Sequence, residues 1–300
     1  MKKTDRSSIF WRNQQKLAPY IFIAPFFIVF ALFMVYPLFN SFATSLYHVR
    51  GLQARIFCGL SNYGSLMTDI TFWRAVFNTT VFALGSLLIQ LPLALLLAVA
   101  LNSKFVRCRN LFRLAFFMPM LISGVFVGMI FTLFYDGRYG MLNMLLRTVG
   151  FTADIEWVQN PATGKLALVM AGVWQFAGLN MVYFLAGLQG VRQELYEAAD
   201  IDGANRVQSF FHVTLPSIKP IAAFVVIMSM IGSFQIFELP YILVPAGGEK
   251  QHMLTIVMLL QRSGFTFMKM GYACAIGWVL AGIIFAISLV QTRLFGVFKE

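Results

Sequence analysis

Residues 194–220 read ELYEAADIDGANRVQSFFHVTLPSIKP. Four carboxylates, Glu194, Glu197, Asp200 and Asp202, crowd this stretch, while the sequence on either side is strongly apolar. Glu194 to Ile201 are mostly good helix formers. Gly203 then supplies the backbone freedom of a turn. Beyond it, Val207, Phe210, Phe211 and Thr214 or Leu215 recur at i, i+3, i+4 and i+7 or i+8, the spacing of an amphipathic helix. Pro216 reads as the stop of that helix. A short helix–turn–helix is therefore predicted. Ala198 and Ala199 leave room on it for another surface to come close.

The flanks set the class. Of 300 residues, 59% are hydrophobic and 12% charged, against about 25% charged in soluble domains. Several apolar runs reach the roughly 20 residues that cross a bilayer. Six helical spans are read near 18–46, 74–101, 112–135, 166–190, 218–238 and 269–292. The predicted fold class is an all-α membrane protein of about six transmembrane helices. Pro25, Pro37, Pro92, Pro119 and Pro220 lie within these spans. Each can kink a helix or add curvature where neighbours satisfy the freed carbonyls. Gly172, Gly178, Ala186, Gly187 and Gly190 run down the fourth span, and small residues let membrane helices approach closely.

The net charge is +11. In a soluble chain this would point to nucleic acid. In a membrane chain it is first explained by basic cytoplasmic loops, and no nucleic-acid partner is predicted. Placing the N-terminus inside puts fourteen Lys and Arg in inner segments and nine in outer ones. The inner set includes Lys2, Lys3, Lys104, Arg107, Arg109, Arg113 and Lys299; the outer set includes Arg50, Arg74, Arg138, Lys165 and Lys250. This favours both termini in the cytoplasm, and puts the acidic stretch on the inner face, where Lys and Arg would ordinarily prevail. No cleavable signal peptide is read at the N-terminus.

Several chemistries are absent. Gly164-Lys165 is followed by Leu166, so no phosphate-binding loop of the GxxxxGK[ST] type is read. Cys58, Cys108 and Cys274 are scattered and suggest neither a disulfide framework nor a metal site. His48, His212 and His252 lie far apart in loops. No catalytic residue, cofactor or metal is predicted. The span interiors hold no charged residue, with only Glu238 near an end. Ion-coupled carriers usually need such groups inside the membrane, so a passive channel or an externally powered transporter remains.

The spans do carry uncharged polar groups, among them Gln90, Gln175, Asn180, Gln189, Ser229, Ser233 and Gln235. Trp174, Phe176, Tyr183, Phe234 and Phe237 lie near them in sequence. Amides beside aromatic faces suit a sugar, with its hydroxyls and C–H patches. They equally suit plain bonding between helices, worth about 1 kcal/mol each. Trp174, Gln175, Asn180, Gln235 and Glu238 are the candidate substrate contacts.

The acidic stretch resembles the EAA loop of permeases from bacterial ABC importers, the inner-membrane components of binding-protein-dependent transport. That pattern is E-A-A, three residues, Gly, nine residues, an aliphatic, one residue and Leu-Pro. Here it is Glu197-Ala198-Ala199, Gly203, Val213 and Leu215-Pro216, with Val where Ile is usual and Val191-Arg192 where Ile-Pro is common. Asn78-Thr79-Thr80, Ala98 to Asn102, Arg113 to Pro119, and Gly140 with Asn143 are similar to the carbohydrate-uptake subgroup. Arg293 to Glu300 lack the GAVKG-like tail common in the second permease of such pairs, so the chain resembles the first permease, the maltose-F or glycerol-phosphate-A type. Pro245-Ala246-Gly247-Gly248-Glu249 departs from the family's T-x-GGP run.

The resemblance implies a subunit of an ATP-driven importer in the bacterial inner membrane, conducting a sugar, oligosaccharide or polyol. Implied partners are a second permease, two ATP-binding subunits, a substrate-binding protein, the sugar and membrane lipid. Glu194, Glu197, Ala198, Ala199, Asp202, Gly203, Phe210, Phe211, Leu215 and Pro216 would form the contact to the ATPase. Residues 1–17 would be a cytoplasmic tail, 18–73 the first helix and a periplasmic loop, 74–292 the core with its coupling loop at 191–217, and 293–300 a second cytoplasmic tail. A non-sugar solute, or a channel or scaffold without ATP coupling, are the alternatives.

Overall fold

Five apolar runs fold as helices of 25 to 33 residues, each long enough to span a bilayer. They are α1 (Ala18–Ser45), α3 (Ile70–Asn102), α7 (Gly164–Gln189), a broken span over Lys219–Leu243, and α12 (Met270–Phe295). Between the first two lies α2 (Ser61–Thr68). The computed structural model describes residues 6–49, 55–103, 106–151 and 154–296. Lys2, Lys3, Arg50, Lys104 and Lys299 lie outside the described residues, as do the side chains of 6–17, 246 and 249.

The third span is not one helix. It divides into α4 (Arg109–Leu121) and α5 (Gly124–Phe134), bent by 96°. Pro119 removes a backbone donor near the end of α4. Ile122 and Ser123 are then extended, and the Ser123 hydroxyl caps α5 by accepting from the Val125 N–H at 3.3 Å. The fifth span also breaks. Its first piece, α10 (Lys219–Phe234), ends at Gln235, and α11 (Glu238–Leu243) carries on past the predicted boundary. After α5, α6 (Met141–Thr148) closes a connection whose hub is Asn143.

Three prolines pass without ending their helices, for a common reason. A proline ring clashes with the carbonyl four residues before it. For Pro37, Pro92 and Pro216 that residue falls in a π-helical turn, over Ala31–Val35, Ser86–Gln90 and Phe210–Thr214 respectively. The wider turn displaces the carbonyl. The prediction that Pro216 stops its helix is thereby corrected: helical backbone continues to Ser217 and breaks at Ile218.

Helix α7 is the mast of the bundle. In its most apolar window 67% of residues are buried, against 0% for α1. Without a hydrophobic force between helices in lipid, close packing must hold them together. At Gly178 an added Cβ would lie 1.8 Å from the Phe116 carbonyl oxygen. That glycine lets α7 and α4 touch backbone to backbone. Helix α1 meets the bundle mainly through its last turns. Phe42 packs on Trp278 with ring centroids 5.1 Å apart, and Trp278 Nε1 donates to Ser41 Oγ at 3.2 Å. Asn62 on α2 clamps the end of α1, donating to the carbonyls of Ser45 at 2.7 Å and Tyr47 at 3.0 Å. A two-strand hairpin that the sequence did not announce, β1 (Tyr47–His48) with β2 (Ile56–Phe57), follows α1.

The connection around α6 shows how an irregular segment is kept in order. Fully buried Asn143 donates to the carbonyls of Gly137 at 2.7 Å and Ile155 at 2.9 Å, and accepts from Trp157 Nε1 at 2.8 Å. Nearby, the backbone N–H groups of Tyr139 and Arg138 converge on Asp136 and hold its carboxyl below the usual range. Asn143→Ala strips three bonds and leaves buried groups unsatisfied. It is expected to destabilise the fold by about 2–3 kcal/mol, read as a lower Tm of the detergent-purified protein.

Candidate functional site: a helical loop and a polar chamber

The acidic stretch folds as predicted into two helices, α8 (Gln193–Ile201) and α9 (206–217). Gly203 joins them with φ +77°, and its neighbourhood is open, so conformation rather than space requires glycine there. The Ala204 N–H donates to the Ala199 carbonyl at 2.9 Å to close the turn. A capping box then starts α9. Asn205 Oδ1 accepts from the Gln208 N–H at 2.9 Å, and Gln208 Oε1 accepts from the Asn205 N–H at 2.8 Å. The sequence signal, Asn205-x-x-Gln208, was present and was missed. Tyr196 and Thr214 share a hydroxyl bond of 2.9 Å that binds the two helices to each other.

Exposure sorts the residues. Glu194, Glu197, Asp200 and Asp202 all face outward. Glu194 lies 3.7 Å from Arg192 in a solvent-exposed ion pair, which adds little. Ala198 is exposed as expected, but Ala199 is buried, because its face of α8 turns inward toward the turn and α9. It therefore packs within the chain and is not open to another surface. The amphipathic face of α9 is also divided. Thr214 is buried and Phe210 half-buried, while Val207 and Phe211 are 65% and 56% exposed. Phe210 and Phe211 stack edge to face at 5.2 Å. Ile201, at 87%, is barely covered. Leu215 and Pro216 are likewise exposed. The loop thus presents greasy side chains among carboxylates, with nothing among the described residues to cover them.

The second feature is a chamber of about 650 Å3 inside the bundle, walled by α3, α4, α5, α7, α10 and α11. Four of the five predicted substrate contacts, Gln175, Asn180, Gln235 and Glu238, line it. Trp174 does not. It sits on another side of α7, against Phe131 at 5.5 Å, in a separate apolar hollow of about 530 Å3. One residue along a helix is a turn of about 100°, enough to part Trp174 from Gln175. The structure adds Ser86, Gln90, Tyr183, Ser229 and Ser233 to the wall. Ser86 accounts for itself by bonding to Gln90 Oε1 at 3.2 Å and to Ser229 at 3.1 Å. Its signal was only a serine in an apolar run, too common to single out.

Two details give the chamber chemical character. Gln175 is 4% exposed, its amide nitrogen reaches the Ile122 carbonyl at only 3.5 Å, and its Oε1 is buried without a partner. Such an oxygen is costly to leave unpaired and would accept from a donor in the chamber. Glu238 lies against the start of α5: a Cβ on Gly124 would come 2.6 Å from its carboxylate oxygen. The break in the third span thus sets a helix N-terminus beside the one carboxylate among the chamber's described residues, a favourable place for it. Among the described residues no cluster able to hold a metal ion occurs.

A multi-pass bundle with a polar chamber inside and an uncovered helical loop at one end has the build of a membrane transport subunit. Residues 90–298 match the family described as binding-protein-dependent transport system inner membrane component, and the chain belongs to that family. It is 41% identical over 293 residues to the arabinooligosaccharides transport system permease protein AraP of Bacillus subtilis, covering 96% of this chain and 93% of that protein. It is 32% identical to the lactose transport system permease protein LacF of Rhizobium radiobacter, covering 97% of each. In fold it is similar to a chain from the crystal structure of a bacterial ABC transporter involved in the import of the acidic polysaccharide alginate. There the TM-score is 0.83 at 23% identity, covering 97% of this chain and 99% of that one. The chain is a permease of the ABC importer class.

Proposed function

We propose that this permease conducts a sugar or oligosaccharide through the chamber, driven by ATP hydrolysed on separate subunits that dock on residues 191–217. The observation that carries the reading is the uncovered loop, with its exposed carboxylates, Ile201, Val207 and Phe211. Carboxylates there are available to Arg on a partner, and apolar side chains supply an anchor. Glu197 pairs with a basic residue, Gly203 holds the turn, and the helix pair acts as a lever that rocks the spans between two states. The chain itself performs no bond chemistry.

Lys and Arg distribution supports cytoplasmic termini and loop. The uncovered apolar surface of α1 supports a second permease beside this one. Relatives that transport arabinooligosaccharides and lactose support a sugar cargo, the family supports delivery by a binding protein, and the chamber, where Gln175 Oε1 awaits a hydroxyl donor, fits such a cargo. The test is co-purification from native membranes, followed by ATPase assay with candidate loaded binding proteins. An ATPase pair whose hydrolysis rises with one sugar-loaded binding protein supports the reading. Purification without an ATPase favours a channel, and stimulation by a non-sugar cargo changes the substrate class.

For the chamber, Gln175→Ala is expected to slow uptake about three- to tenfold, the value of one neutral hydrogen bond. Trp174→Phe, outside the chamber, should leave uptake unchanged. Radiolabelled sugar uptake into cells or proteoliposomes reads both.

A further inference from the structure

At the end of the bundle opposite the 191–217 loop, the starts of α3 and α7 meet the segment around Lys250. They enclose an open cleft of about 410 Å3 whose wall includes Ile70, Trp73, Arg74, Phe77, Lys165 and Lys250. Three of the nine outer cations thus converge in one place. No described carboxylate lines the cleft, and none of the three is paired with one. Lys165 Nζ rests 4.5 Å from the centroid of the Phe77 ring.

The convergence is held by the fold. Lys250 and Gln251 both adopt left-handed backbone, with φ 54° and 59°. Non-glycine residues persist there only where their surroundings over-determine them. Asn78 does so, donating to the Gln251 and Leu254 carbonyls at 3.0 Å each. Starting beside the cations, Ile70, Trp73, Phe77, Leu84 and Leu88 are all exposed and form one stripe along α3. Phe82, Ser86 and Gln90, on the opposite face, line the chamber. The stripe therefore faces away from the chamber.

We propose that this cleft binds the phosphate of an anionic phospholipid in the leaflet opposite the 191–217 loop, with the acyl chains lying along the Ile70–Leu88 stripe. Arg74 offers a guanidinium fork to the phosphate, and Lys165 and Lys250 add point charges. Trp73 sits at the level where indole rings favour the membrane interface. An acidic protein surface would satisfy the cations but leave the stripe bare. The continuity of cleft and stripe selects a lipid.

The test uses the assembled transporter in nanodiscs of mixed phosphatidylglycerol and phosphatidylcholine, with retained lipid counted by native mass spectrometry. The wild type should retain phosphatidylglycerol preferentially. The triple variant Arg74→Gln, Lys165→Gln, Lys250→Gln should lose that preference by about tenfold or more, and Lys165→Arg should keep it. Millimolar inorganic phosphate should not displace the lipid. Equal retention of both lipids by the wild type, or an unchanged triple variant, overturns the proposal. So does displacement by inorganic phosphate, which would mean that phosphate alone is read. An equal loss in Arg138→Gln, Lys269→Gln would reduce the effect to general surface charge. Loss of binding-protein association in the triple variant with lipid preference intact would make the cleft a protein dock. Size-exclusion profiles confirm that each variant is folded.

Discussion

Glu197→Arg and Gly203→Asp are each expected to cut ATP-coupled uptake at least about thirtyfold while the chain still reaches the membrane. The first reverses a charge on the exposed face of α8. Truncating one partner of an interfacial charge pair costs about 2–5 kcal/mol, and reversal adds repulsion. The second acts mainly through charge. Gly203 sits at φ +77° with open space around it, so Asp meets no clash. Asp, like Asn, tolerates the left-handed region, so the damage comes from a fifth carboxylate brought to a group of four. Gly203→Asn, which tolerates the left-handed region, should retain most activity. Neither change touches the core, so membrane levels should match the wild type. Uptake and ATPase rate, normalised to membrane level, provide the check. Full coupling in both variants would sink the docking role of the loop.

Gly178→Val is expected to be the most damaging change to the fold. Its Cβ alone would stand 1.8 Å from the Phe116 carbonyl oxygen and 2.5 Å from the carbonyl carbon. Those are backbone atoms, which cannot swing aside as a side chain can, so α4 must move off α7. Overpacking costs about 1–3 kcal/mol where side chains can adjust, and more is expected where they cannot. The same contact fixes where the third span bends, so the Ile122 carbonyl that meets Gln175 would shift too. Gly232→Ala is the comparison. It lines the same chamber, and a Cβ there meets nothing within 4 Å. It should leave the Tm within about 0.5 kcal/mol equivalent, whereas Gly178→Val should yield little monodisperse protein on size exclusion.

The class of this protein was legible without coordinates because two signals are local. Span length is a property of contiguous sequence, and all six predicted spans begin within four residues of the observed ones. The Glu197-Ala198-Ala199, Gly203, Leu215-Pro216 spacing is a property of one short segment, and the helix–turn–helix it implied is present. The amides of α7 could be proposed as chamber residues for the same reason: amides in an apolar helix need partners.

What the sequence could not decide is which way each residue faces. A helix apolar all round gives no stripe to orient it. Trp174 and Gln175 are therefore indistinguishable neighbours in sequence, yet they line different hollows. Ala199 looked like open surface until the fold of α9 against α8 buried it. Ser86 and Ser229 meet only because α3 and α10 are brought together. The 96° bend needed both Pro119 and a neighbour to receive the freed backbone. Length and motif are written along the chain, whereas facing and convergence follow from how the helices rotate against one another, and only tertiary packing sets that rotation.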